Sequence, residues 1–100
     1  MYLINIALKP NNDDEQTAAK RFALHREWFA KYFDNGTFLL LGPYLDRDHS
    51  GVIIAQAKNK AELEKVIAED VYYPLGTASY EISEFKPVMI ANNIADYLEK

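Results

Sequence analysis

Between Gln16 and Asn35, the side chains of Ala18, Phe22, His25, Phe29 and Phe33 recur every three or four residues. That spacing predicts one face of an amphipathic helix, running to about Phe33. Four members of the row are apolar and the fifth is an imidazole, so His25 is aimed inward with the hydrophobes. A polar ring held on an apolar face needs a partner or a ligand to offset its desolvation. Two readings are open at this point: a core histidine satisfied by a neighbour, or a functional group.

The rest of the chain divides into short periodic segments. Ahead of the helix, Ile4, Ile6 and Leu8 alternate with Leu3, Asn5 and Ala7, which predicts a strand. Pro10, Asn11, Asn12, Asp13 and Asp14 form a turn with N-cap candidates whose acids suit the positive end of a helix. Asn35-Gly36 supplies the left-handed stop, and residues 37–41 begin a second strand that Gly42-Pro43 ends. Its consecutive hydrophobes place apolar groups on both faces of the sheet. A small sheet with helices on one side must cover the other, and a second copy of the chain is the simplest cover.

A polar loop over residues 46–51 precedes a third strand at 52–57. Asn59 and Glu62 have capping-box spacing and open a second helix with Leu63, Val66 and Ile67 inward, the stripe continuing to Asp70. Residues 79–87 alternate around Tyr80, Ile82 and Glu84 as a fourth strand. The order βαββαβ predicts an α+β, ferredoxin-like sandwich with a four-stranded antiparallel sheet and both helices on one face. Residues 1–87 make up this one domain. Residues 88–100 form an extension in which Asn93 is placed to cap a short helix from Ile94.

Composition narrows the chemistry. One hundred residues, 49% hydrophobic and 13% aromatic, suffice for a single core. The chain has no cysteine, which removes disulfides, thiolate ligands and thiol nucleophiles and accords with a cytoplasmic setting. A net charge of -4 with interspersed signs provides no basic face for nucleic acid, and the apolar amino-terminal run is too short for a signal peptide or membrane anchor. With two histidines, one of them His49 in a polar loop, a transition-metal site is poorly supplied. Asp46, Asp48 and Gly51 imitate the start of a calcium loop, but its closing position is Ala57. No metal and no cofactor is expected.

Asp70 repeats the anomaly of His25. It lies on the apolar stripe of the second helix, near a C-terminus whose carbonyls disfavour negative charge. Side-by-side helices over one sheet bring an inward acid and an inward imidazole within reach of each other. Alternatively, Asp70 caps the loop that carries Tyr72 and Tyr73.

These residues together resemble the YCII-related family. The matching features are His25, Asn35-Gly36, the strand closing in Leu41-Gly42-Pro43, Asp70 with Tyr72 two positions later, and Tyr80-Glu81-Ile82. The resemblance implies a ferredoxin-like chain that pairs into a dimeric α+β barrel, with His25 as general acid or base and Asp70 as its orienting partner. It further implies a small cyclic or aromatic substrate, as in relatives that eliminate chloride from a hydroxyquinol and in lactone isomerases of the wider superfamily. Phe29, Tyr44, Tyr72 and Tyr73, with Gly42 and Pro43 at the strand end, are the expected pocket lining. A non-catalytic metabolite-binding or accessory domain and a cofactor-free monooxygenase-like barrel are the alternatives. The chain differs from the family pattern in carrying Val71 where proline commonly follows the acid.

Overall fold

Six elements follow one another in the order that the hydrophobic pattern predicts, and the computed structural model describes all of residues 1–100. They are β1 (Tyr2–Leu8), α1 (Glu15–Asp34), β2 (Phe38–Pro43), β3 (Ser50–Ala55), α2 (Lys60–Ile67) and β4 (Ala78–Glu84). A single 3-10 turn, Ile94–Tyr97, lies in the tail. Every strand pairing is antiparallel and the sheet order is β2-β3-β1-β4. This is the ferredoxin-like α+β arrangement.

Local chemistry sets the element ends. Asp14 accepts the Thr17 backbone N–H at 2.7 Å and so caps α1, and that bond holds its carboxyl below the ordinary value. Asn59 does the same for α2, accepting the Glu62 N–H at 2.9 Å. After Asn35, Gly36 takes φ 86, the left-handed conformation that lets the chain leave α1 for β2. Gly51 allows β3 to start early, at Ser50, and to pair with Pro43, because a Cβ there would come within 3.0 Å of the Gly42 carbonyl oxygen. Both strands are therefore displaced from the predicted spans: β2 extends through Gly42 and Pro43, and β3 ends at Ala55 rather than 57. In the tail, Asn93 makes no capping bond through its side chain.

The core lies between the helices and one face of the sheet. Tyr2, Ile4 and Ile6 of β1, Phe38 of β2, and Ile53 and Ala55 of β3 meet Leu63 and Ile67 of α2. From α1 come Trp28 and Tyr32, and of the predicted row only His25 and the partly buried Phe29 face inward. Phe22 and Phe33 are 48% and 55% exposed and Ala18 is exposed, whereas His25, Trp28 and Tyr32 are buried. Two apolar rows with the same helical period pass through His25, and the polar tips of the aromatics decide between them. The Trp28 indole donates to the Val66 carbonyl at 2.8 Å, and the Tyr32 hydroxyl donates to Glu69, which also accepts Lys31 at 2.7 Å. These bonds fasten α1 to α2 and to the turn that follows it, and no such anchor is open to phenylalanine.

The opposite sheet face has no helix over it. Leu3, Ile54 and Leu40 stand side by side there across three strands, and a register shift around Leu39 leaves Leu39 and Leu40 both more than two-fifths exposed.

Candidate functional site

Asp70 comes to the core by leaving the helix. α2 ends at Ile67, short of the predicted end, and a turn follows in which the Asp70 N–H donates to the Ile67 carbonyl at 3.0 Å. The Asp70 carbonyl then accepts the Tyr73 N–H at 3.0 Å. This tight return drives the carboxylate beneath α1, where Asp70 is 1% and His25 4% exposed. β4 adds a third group, because Tyr80 pairs with Ile6 and so shares the helix-covered face.

The three side chains form one hydrogen-bonded array. His25 Nδ1 stands 2.7 Å from Asp70 Oδ1, and the Tyr80 hydroxyl donates to Asp70 Oδ2 at 2.7 Å. Both carboxylate oxygens are thus engaged by side chains, and neither caps the loop of Tyr72 and Tyr73. With Nδ1 directed at the acid, Nε2 makes no hydrogen bond within the chain and is not sealed from solvent. Aromatic rings surround the imidazole: Phe29 at 4.3 Å, Tyr72 at 5.0 Å, Trp28 at 5.7 Å and Phe22 at 6.3 Å between centroids. A fixed tautomer, one free ring nitrogen and flat apolar walls suit proton transfer on a ring-shaped molecule.

The expected pocket residues divide among three places. Phe29 and Tyr72 pack on His25, and Tyr73, half exposed, lies beside Tyr80 with centroids 5.8 Å apart. Phe29 also joins Gly42 and Pro43 along an open apolar hollow of about 1230 Å³ between α1, β2 and the tail. Tyr44 is not brought to His25. Its hydroxyl donates to Asn5 on the helix-free face of the sheet, and Arg47 lies 4.6 Å over its ring, because the chain turns away from the helices after Pro43. Tyr80, absent from the expected site, is the array's third member. Its signal in the sequence was a phenol on the inward side of a strand, alternating with Ile82, where a buried hydroxyl needs a partner.

Burial pushes the Tyr80 phenol far above its ordinary value of 10.0, and the bond to Asp70 and the carboxylate charge add to the effect. Burial likewise raises Tyr72 and Tyr32. The folded chain therefore holds these protons more tightly than the unfolded chain. The resulting stabilisation is fully present below about pH 10 and is lost as pH rises above it. The denaturant midpoint is expected to hold level from neutrality to about pH 9 and then to fall. Tyr80→Phe is expected to flatten that fall while costing about 1 to 3 kcal/mol at neutral pH, since one buried carboxylate oxygen loses its donor. Equal alkaline slopes for the variant and the parent would show that Tyr80 does not titrate as described.

A family model described as the YCII-related domain matches residues 1–86. The chain belongs to the YCII-related family. No curated protein matches this YCII-related chain. Among solved structures it is similar to muconolactone isomerase, at 15% identity and a TM-score of 0.75 over 91% of this chain and 95% of that one. It is also similar to 5-chloro-2-hydroxyhydroquinone dehydrochlorinase from Burkholderia phenoliruptrix, in complex with 2,5-dihydroxybenzoquinone. The identity there is 16% and the TM-score 0.61, over 84% and 93% of the two chains. An antibiotic biosynthesis monooxygenase follows at 13% identity and a TM-score of 0.50, over 86% and 98%. At these identities the likeness is one of fold. No helix of the YCII-related chain is long and apolar enough to cross a membrane.

Proposed function

We propose that this chain is an acid-base enzyme that moves a proton on a small cyclic or aromatic molecule, with His25 as the transferring group. The observation that carries the reading is the array in which Tyr80 and His25 hold the two oxygens of buried Asp70, while His25 Nε2 stays free of protein partners. In the step proposed, Nε2 takes a proton from the substrate, and the electron pair left behind enters the substrate's conjugated system. Return of that proton to another carbon is an isomerisation; expulsion of a leaving anion is an elimination. Asp70 steadies the imidazolium that forms, and Tyr80 fixes Asp70.

One positioned base contributes about 10²- to 10⁴-fold, or roughly 3 to 5.5 kcal/mol of barrier lowering. Two fold neighbours act on a lactone and on a chlorinated hydroxyquinol, which makes these compound types the first to assay. Turnover of at least one, dependent on His25, supports the reading. Absence of turnover from every lactone and hydroxyquinol tried favours the metabolite-binding alternative.

The working form in this reading is a homodimer joined through the helix-free face of the sheet. Support comes from the row of half-buried Leu3 and Ile54 beside exposed Leu40, which no helix covers, and from a tail whose residues 88–100 are all exposed, including Val88, Met89 and Leu98 at 78% to 91%. Apolar surface of this extent is uncommon on a monomer. Sedimentation at micromolar concentration is expected to return twice the chain mass, and Leu40→Lys is expected to shift it toward the monomer. A parent protein that sediments as a monomer contradicts the dimer.

A further inference from the structure

We propose that Arg21 is the anion-recognising residue of the His25 site, and that the molecule taken there is a planar ring carrying a carboxylate or a comparable anionic group. The inference rests on the proton-transfer reading for the position of the site and deepens it by naming the substrate's charge.

α1 sets the geometry. Arg21 precedes His25 by four residues, so the two side chains share a helix face about 6 Å apart along the axis. Of residues 15–24 only Thr17 and Arg21 are partly buried, which marks the outward end of the row that continues through His25, Trp28 and Tyr32. Tyr72 sits against the His25 ring at 5.0 Å, and beside burial and the Asp70 carboxylate its phenol also feels the charges of Arg21 and Asp13.

Chemistry gives the arrangement its direction. The rings around His25 offer flat apolar surface but no counter-charge, and Asp70 is already committed to two donors. Arg21 is the cation on this face. Asp13 engages it through Nη1 alone, and its remaining N–H groups make no bond within the chain. A guanidinium has five donors in a planar fork, the geometry that grips a carboxylate or an enolate oxygen pair. An anion held there would present its ring to the aromatic walls and its acidic hydrogen to His25 Nε2.

The competing account is that the Arg21 and Asp13 pair merely ties the loop before α1 to the helix. Benzoate and its neutral analogue benzamide separate the two, read through Trp28, the single tryptophan of the chain, 5.7 Å from the His25 ring. Benzoate is expected to quench Trp28 saturably, and benzamide to bind about tenfold more weakly or worse. Arg21→Gln is expected to weaken benzoate by about tenfold or more. Asp13→Asn, which frees the guanidinium and loosens the loop, is expected to keep or tighten it. His25→Gln is expected to retain benzoate binding, so a failure of the proton-transfer reading stays distinguishable from a failure of this one. The proposal is overturned if the parent protein gives no saturable response, if benzamide matches benzoate, if Arg21→Gln binds like the parent, or if Asp13→Asn loses as much as Arg21→Gln.

Discussion

Asp70→Ala is expected to destabilise the fold by about 3 to 5 kcal/mol, the largest single-residue effect on stability that the structure implies. The cost arises from what the substitution leaves behind. His25 Nδ1 and the Tyr80 hydroxyl both end on this carboxylate, at 2.7 Å each, and Asp70 is 1% exposed, so water does not readily replace it. A buried imidazole and a half-buried phenol would lose their partner together. Against a total of about 5 to 15 kcal/mol for a domain, the loss is a large share. Asp70→Asn keeps the shape and one acceptor, and the Tyr80 hydroxyl can rotate to receive the new amide, so its cost is expected near 1 kcal/mol. Denaturant midpoints decide the matter. An alanine variant as stable as the parent would mean that the array is not formed in solution.

His25→Gln is expected to act in the opposite sense, losing about 10²- to 10⁴-fold in turnover while the fold survives. Glutamine fills much of the same volume, and its amide can donate to Asp70 Oδ1, so the buried carboxylate keeps its partner. What disappears is a second ring nitrogen able to take and return a proton. A stability change within about 1 kcal/mol, together with lost turnover, separates chemistry from packing. If the variant unfolds, or if it turns over substrate at the parent rate, His25 is not the proton-transferring group.

Much of this architecture was legible in the order of the hydrophobic segments. The four strands and two helices come in the predicted sequence because turn and cap chemistry at Asn35-Gly36 and Asn59 punctuates them, while Gly42-Pro43 is taken into β2. The face of α1 was harder to read. Trp28 and Tyr32 were hidden by their polar tips, which count against burial in a hydropathy pattern, yet those tips are what tie them inward to Val66 and Glu69. Phe22 and Phe33, more apolar, remain outside on the helix.

At the site, two polar residues on apolar stripes, His25 and Asp70, stood out because each violates its own helix's pattern. Tyr80 did not, since a tyrosine on a strand breaks no pattern until its hydroxyl is seen to point at a carboxylate. Tyr44 failed to join them for a related reason. Sequence proximity to Gly42-Pro43 says nothing of which sheet face a side chain takes once a strand has ended, and its hydroxyl meets Asn5 on the far side. Val71, in place of the family's usual proline, leaves the acid's direction intact: the backbone bonds from Asp70 to Ile67 and from Tyr73 to Asp70 make the turn without it.

The central claim is that His25, oriented by Asp70, exchanges protons with a bound ring compound. Transfer of solvent deuterium into lactone- and hydroxyquinol-type compounds in heavy water, followed by proton NMR, tests it most directly. The account predicts that the parent protein labels at least one such compound at a carbon next to its carbonyl or hydroxyl, and that His25→Gln, folded and equally stable, does so about 10²-fold more slowly or worse. Labelling at the same rate by both proteins, or by neither, would contradict it.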